Sequence, residues 1–346
     1  MTRFFFHVSG EHNTLPYAEV KAILESESLI YENVESFPKL LCLESNASHI
    51  PSVSNRASFL KAYGVEIFRC EATDEEMIHH IREEAYDKYI SKGQTFSVRA
   101  KKLQKSSAVN VEKLERELGR IILEKTGNIK VGLDNPDKTF LAFLTENLLI
   151  FGLRLAESSR EDFQKRSLRK RPFFHPSAMS PKLGRCMVNL ARCKPDSVIL
   201  DPFCGTGSIL IEAGLIGCKA LGSDMNKKMV RGSLRNLRFF RIHNGQLCVA
   251  DARNLPFRKI DNIITDPPYG RSSSTFGENT KSVVTRFLSS ATEALKKGGY
   301  ISICLPDYVD INEICEALGN YGIIEEHLVK EHKSLTRKIS VLINNN

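Results

Sequence analysis

A chain of 346 residues with 42% hydrophobic content is long enough for two or three domains, each able to bury its own core. No apolar stretch approaches the length of a membrane span and Met1-Thr2-Arg3 leads into Phe4-Phe5-Phe6 rather than a signal peptide, so no membrane association and a cytoplasmic location are expected. Nine cysteines without a Cys-x-x-Cys pair and nine unclustered histidines predict reduced thiols and no metal site, and a formal charge of +8 favours an anionic partner.

Residues 1–70 predict a ferredoxin-like α+β module in the order βαββαβ: a strand over 4–8, a helix over 17–25, strands over 30–37 and 40–44, a helix around 54–63 and a strand over 65–70. A second module, 71–155, opens with a helix over 75–90 in which Met77, Ile78, Ile81 and Ala85 recur at helical spacing. Phe96-Ser97-Val98-Arg99-Ala100-Lys101 alternates apolar with polar or basic residues, the pattern of a half-exposed strand. Asn110 is placed to cap a second helix, whose Val111, Leu114, Leu118, Ile121 and Ile122 form one apolar stripe, and strands over 139–145 and 148–155 follow. This succession resembles the THUMP domain, an RNA-binding module that accompanies tRNA-modifying enzymes. The resemblance implies Arg99, Lys101 and Lys102 on the phosphates, although each is equally well the wet face of an ordinary strand.

Residues 156–171 read as a basic linker: from Arg160 to Arg171 there are six basic side chains against two acidic. Alone this is a solvated connection. Beside a domain that modifies bases, Lys165, Arg166, Arg169, Lys170 and Arg171 become phosphate contacts in a hinge. The stretch Arg171-Pro172-Phe173-Phe174-His175-Pro176-Ser177-Ala178-Met179-Ser180-Pro181 carries three prolines. It is a stiff lead-in to a helix over 183–193, able to lie across a crevice as a lid.

The third domain, 172–346, turns on two stretches. Val198-Ile199-Leu200-Asp201-Pro202-Phe203-Cys204-Gly205-Thr206-Gly207-Ser208-Ile209 reads as strand, glycine loop and helix, the first βα turn of a doubly wound sheet. Gly205 and Gly207 let backbone approach a ligand closely, while leucine at 210 departs from the Gly-x-Gly-x-x-Gly of nicotinamide sites. Strands over 220–223 and 247–250 end in Asp224 and Asp251, and Ile263-Ile264-Thr265 stops at Asp266-Pro267-Pro268-Tyr269. Four acids at successive strand ends therefore line one crevice, with Asp224 placed for ribose hydroxyls. The two prolines hold the Asp266 carboxylate and Pro267 carbonyl in a rigid arc, suited to gripping the hydrogens of an exocyclic amine while Tyr269 stacks on its base. A plainer reading has Asp266 cap the next helix and the prolines end a strand.

Further on, a helix over 283–295 is closed by Lys296-Lys297-Gly298-Gly299, and a strand over 301–305 and a helix over 311–318 follow. An antiparallel hairpin from 323–329 and 338–343 ends the chain, and residues 275–280 read either as a loop over a substrate or as an inert connection.

Asp-Pro-Phe-Cys-Gly-Thr-Gly at 201–207 followed by Asp-Pro-Pro-Tyr at 266–269 resembles the S-adenosylmethionine-dependent amino-methyltransferases of nucleic-acid bases. The stretch 173–182 resembles the lead-in of the archaeal and eukaryotic tRNA guanine-10 N2-methyltransferases. The resemblance implies an α/β, doubly wound Rossmann-like methyltransferase sheet with a C-terminal β-hairpin. It implies S-adenosylmethionine as cofactor, with His175, Pro176, Ser177 and Met179 against it, and Asp201, Phe203, Gly205 and Gly207 around the methionine moiety with Cys204 and Thr206 of the same loop. Asp224 falls on the ribose and Asp251 near the adenine, and Asp266, Pro267, Pro268 and Tyr269 form the catalytic loop. tRNA is the implied partner, the expected state is a monomer, and eukaryotic relatives add a small activating protein. At this point another tRNA or ribosomal RNA guanosine, an adenine N6, or an inactive RNA-binding adaptor are open alternatives.

Overall fold

The structure, a computed structural model, describes residues 1–104, 109–145, 147–158, 160–269, 279–332 and 335–346. Its elements run β1 (Thr2–Val8), α1 (Leu15–Ser26), β2 (Tyr31–Phe37), β3 (Leu40–Ser45), α2 (Pro51–Arg56), β4 (Leu60–Glu71), α3 (Asp74–Glu83), β5 (Thr95–Lys102), α4 (Val111–Thr126), β6 (Lys130–Val131), β7 (Lys138–Leu144) and β8 (Leu148–Glu157). They continue with α5 (Arg160–Lys165), α6 (Pro181–Leu190), β9 (Val198–Asp201), α7 (Ser208–Leu215), β10 (Lys219–Asp224), α8 (Lys227–Phe239), β11 (Gln246–Val249) and β12 (Ile260–Thr265). The last are α9 (Thr280–Ala294), β13 (Leu295–Pro306), α10 (Ile311–Leu318), β14 (Tyr321–His332) and β15 (Leu335–Asn344). Two compact units result: Met1–Glu11, Leu29–Asn55 and Leu60–Ser158 form the first, and His12–Ser28, Arg56–Phe59 and Ser159–Asn346 the second.

In the first unit, eight strands pair into one sheet in the order β2-β3-β1-β4-β8-β7-β5-β6, joined at its centre by antiparallel β4 and β8. The helix expected around 54–63 is short: α2 ends at Arg56, and Tyr63 sits in β4 opposite Phe6 of β1. Six residues carry too little helical period to be told from a strand's apolar run. The helix expected over 75–90 ends at Glu83, and the buried Tyr86 sits in a separate 3-10 turn, its hydroxyl donating to the Ile81 carbonyl at 3.0 Å. Asn110 caps α4 as expected, accepting the Lys113 N–H at 3.0 Å.

The second unit holds a seven-stranded sheet in the order β11-β10-β9-β12-β13-β15-β14. β9 to β13 pair in parallel, and β15 runs antiparallel between β13 and β14. Successive residues of a strand enter different apolar clusters, Ile199 and Ile264 with α6 and α7, Leu200 and Ile263 with α9 and α10, so both faces are covered. Lys296 to Gly299 lie in β13 rather than at a helix end, because Leu295 already pairs with Ile260. α1 belongs here too. Its buried Glu19 accepts the Ser58 N–H (2.9 Å), the Phe59 N–H (3.0 Å) and the Asn189 amide of α6 (2.9 Å). Residues 275–278 lie outside the described residues. Among the described residues no helix is long and apolar enough to cross a membrane.

Strand order reverses between β9 and β12, and a doubly wound sheet opens its crevice at that point, outside the carboxyl ends of the strands.

Candidate active site

A cavity of about 500 Å³ lies at this reversal, within the range of roughly 300–1,000 Å³ usual for small-molecule sites. The four strand-end acids, Asp201, Asp224, Asp251 and Asp266, all line it, with Phe203, Cys204, Gly205 and Thr206 from the glycine loop and His175, Ser177 and Met179 from the lead-in. Pro267, Pro268 and Tyr269 complete the wall, while Pro176 and Gly207 flank the cavity without lining it.

The glycine loop is built as its sequence requires. Gly205 and Gly207 have φ of +49° and +80°, in the left-handed region. A Cβ on Gly207 would stand 2.2 Å from the Ser233 hydroxyl, so no larger residue fits. The Gly205 N–H donates to Asp224 Oδ2 at 3.0 Å and the Asn226 N–H to Oδ1 at 2.8 Å, which ties the loop to the end of β10. Each oxygen keeps a second lone pair for a ligand. Burial nonetheless raises the Asp224 carboxyl above its usual range.

Asp201 is buried at 2% exposure and accepts from the Thr265 hydroxyl at 2.8 Å and the Phe203 N–H at 3.2 Å. Burial, opposed by those two hydrogen bonds and reinforced by the carboxylates of Asp266 and Asp224, pushes it up to about 7. Asp251 is the contrary case: Arg253 grips it at 2.7 Å and holds it below the usual range.

Asp266 has both oxygens engaged. The Tyr269 hydroxyl donates to Oδ1, and Arg337 of β15 reaches Oδ2 at 3.3 Å while lying 5.6 Å from the centroid of the Tyr269 ring. The same hydroxyl is 3.3 Å from the Cys304 carbonyl, and burial next to Asp266 raises the phenol well above its ordinary pKa. Tyr269, expected to stack on a base, is thus folded onto its own loop here. Arg337 was not foreseen: it is 71 residues from Asp266 in sequence and belongs to no motif. Met225, Asn226, Met229, Arg253 and Val283 also line the cavity. Met225 and Asn226 follow directly on Asp224 and Met229 lies in the first turn of α8 after it, so all three could have been found from the acid's position at a strand end.

The basic linker divides. Arg166 holds the fully buried Glu212 of α7 through Nε (2.8 Å) and Nη2 (3.1 Å), and Arg185 joins them at 3.0 Å. Arg171, 5% exposed, donates to the Ser208 hydroxyl at 2.7 Å, and burial lowers it to about 10. In place of the phosphates expected for them, these two cations hold side chains of α7 in the structure. Lys165, Arg169 and Lys170 are exposed. On β5, Lys101 and Lys102 are exposed, and half-buried Arg99 donates to the Leu133 carbonyl at 3.1 Å.

Carboxylate acceptors beside the apolar faces of Met179, Phe203 and Met229 suit a cationic nucleoside that carries hydroxyl donors. The fold, that donor set and the Asp266–Tyr269 loop at its edge define an S-adenosylmethionine-dependent methyltransferase. Residues 169–338 match the RMKL-like methyltransferase domain family and residues 71–153 the THUMP domain. Two archaeal proteins named tRNA (guanine(10)-N2)-dimethyltransferase align over nearly everything. That of Methanothermobacter thermautotrophicus is 38% identical over 97% of both chains, and that of Methanocaldococcus jannaschii 32% identical over 96% of this chain and 97% of its own. The chain belongs to the tRNA (guanine(10)-N2)-dimethyltransferase family. The crystal structure of TrmN from Thermus thermophilus, 18% identical and covering 99% of both chains, shares the fold with a TM-score of 0.57.

Proposed function

We propose that this protein transfers methyl groups from S-adenosylmethionine to the exocyclic N2 amine of guanosine 10 in tRNA, and that it does so twice. The observation that carries the reading is the Asp266-Pro267-Pro268-Tyr269 loop, whose carboxylate faces the same cavity as the glycine loop. The archaeal relatives' shared name supports the position and the second methyl.

S-adenosylmethionine supplies an electrophilic methyl group when bound. In this reading Asp224 takes the ribose hydroxyls, Asp251 lies near the adenine, and Asp201 and the glycine loop border the methionine moiety. The guanine amine is a poor nucleophile because its lone pair is delocalised into the ring. Asp266 accepts one of its hydrogens and the Pro267 carbonyl the other, drawing the nitrogen towards a tetrahedral geometry, and Asp266 then takes the departing proton. To do this Asp266 must exchange the Tyr269 hydroxyl for the amine, which frees the ring to stack on the base. Arg337 stays on the other oxygen and fixes which one faces the amine. Much of the rate enhancement then comes from positioning.

The test is mass spectrometry of nucleosides from a tRNA transcript treated with enzyme and cofactor. N2,N2-dimethylguanosine mapped to position 10 is expected. Methylation at another nucleotide, or of adenine, overturns the assignment.

A further inference from the structure

The cavity is acidic; the helix that starts at its mouth is the reverse. Between Met225 and Ala250 the sequence holds six Lys or Arg and no Asp or Glu. Lys227, Lys228, Arg231, Arg235 and Arg238 on α8, and Arg241 just beyond it, are all exposed, while Val230, Ser233, Asn236 and Leu237 form the buried face. Steps of four, four and three put Lys227, Arg231, Arg235 and Arg238 in one row, about 16 Å long at 1.5 Å per residue. Asn226 and Met229, in the first turn, line the cavity, so the row runs outward from its rim.

This arrangement works against the helix. Two lysines open α8, where the dipole favours anions, and no acid stands in the first turn. Like charges four residues apart, Lys227 with Arg231 and Arg231 with Arg235, repel. None of the six makes an ion pair or side-chain hydrogen bond with a described residue. The neighbouring elements offer no relief: β11 carries no acid, Glu212 of α7 is buried against Arg166 and Arg185, and Asp224 of β10 holds backbone N–H groups. In the first unit α4 is built otherwise, with Arg116 and Arg120 paired to Glu112, Glu117 and Glu124 along the same helix. A row of cations without a partner among the described residues, beside a cavity for a nucleobase, lacks the compensation that an anionic strand would provide.

We propose that the exposed row of α8 is a docking surface for tRNA phosphates, holding the strand that flanks the target nucleotide while its base enters the cavity. The inference rests on the reading of the substrate as tRNA and adds a contact surface that neither the THUMP module nor the linker contains. Phosphate contacts fix register and orientation without reading sequence. Close to the cavity they would also help offset the cost of unstacking the base.

The test is the triple substitution Arg231→Ala/Arg235→Ala/Arg238→Ala in the full chain, with Arg231→Lys/Arg235→Lys/Arg238→Lys as its conservative counterpart. For the alanine variant, tRNA affinity at 0.1 M salt should fall about tenfold or more. The plot of log affinity against log salt should lose about two units of slope, at roughly 0.7–0.9 per phosphate contact. Affinity for S-adenosylhomocysteine should stay within about twofold, and melting should occur at the same or a higher temperature because repulsion is relieved. The lysine variant should keep the slope and most of the affinity. Unchanged tRNA affinity and slope in the alanine variant overturn the α8 surface and leave the substrate reading standing, whereas a wild-type protein that binds no tRNA overturns both. If the alanine variant also loses S-adenosylhomocysteine binding, the lysine variant decides: retained slope supports the surface, and lost slope with cofactor binding intact overturns it.

Discussion

Within the second unit, the cavity is walled by Asp201, Asp224, Asp251 and Asp266, whereas α8, whose first turn reaches the rim, carries cations as its only exposed charges. Every one of those acids is held by a particular donor: a threonine hydroxyl, a glycine N–H, an arginine, a tyrosine. Among the described residues nothing holds the basic row. Groups that select a small ligand and steer a proton must be fixed to fractions of an ångström, while groups that gather a polyanion need only be present and exposed. Interior changes should therefore act on turnover and be indifferent to salt. Surface changes should act on tRNA affinity and fade as salt rises.

The sharpest break comes at Asp266. Asp266→Ala should lower kcat by about 10²- to 10⁴-fold, the usual worth of a positioned acid–base group, with KM for tRNA nearly unchanged. A folded variant with near-normal single-turnover methylation would remove the carboxylate from the chemistry. Next is Arg337→Met, expected to cost about ten- to a hundredfold in kcat, the order of one charged hydrogen bond, with Arg337→Lys recovering part of it. If Arg337 acts through Asp266, the double variant should be no slower than Asp266→Ala alone, and additive losses would separate the two.

A third test uses the raised pKa of Asp201. A cationic ligand favours the ionised carboxylate, so S-adenosylmethionine affinity should weaken by up to about tenfold per pH unit as pH falls below about 7. S-adenosylhomocysteine, without the sulfonium charge, should show a shallower dependence in calorimetry. For the ligand-free fold the sign is opposite. A carboxyl raised from 3.8 to about 7 favours folding most fully below 3.8 and loses that contribution as pH climbs through 7, and Asp201→Asn should flatten this limb of the melting curve. The smallest effect is expected on β5, where Lys101→Ala should raise KM for tRNA about two- to threefold and reduce the salt slope by no more than about one. An unchanged slope would take that strand out of the interface.

The parts of the site that were legible in sequence are those whose geometry is local. A strand that ends in an acid and turns through Gly205 and Gly207, or one that stops at Pro267 and Pro268, fixes its own backbone, and each acid inherits its position from the end of a parallel strand. α4, with its asparagine cap and apolar stripe, was legible for the same reason. Short α2, by contrast, offered too few turns for periodicity to separate it from β4.

Charge was the least legible property. Arg166 and Arg171 stand in the same basic run as Lys165 and Lys170, and nothing in the order of residues distinguishes them. Only the folded chain brings Glu212 and Ser208 against the first pair and leaves the others outside. By itself the sequence determined the reaction class, the order of the parallel strands' acids and the family, because those rest on contiguous motifs and backbone constraint. Tertiary structure alone decided that Arg337 of the last strand reaches Asp266, that α1 joins the second unit through Glu19, and which cations face solvent. Depth and long-range pairing arise only when distant segments pack, and a residue's charge is the same whether it ends beneath a loop or on a surface.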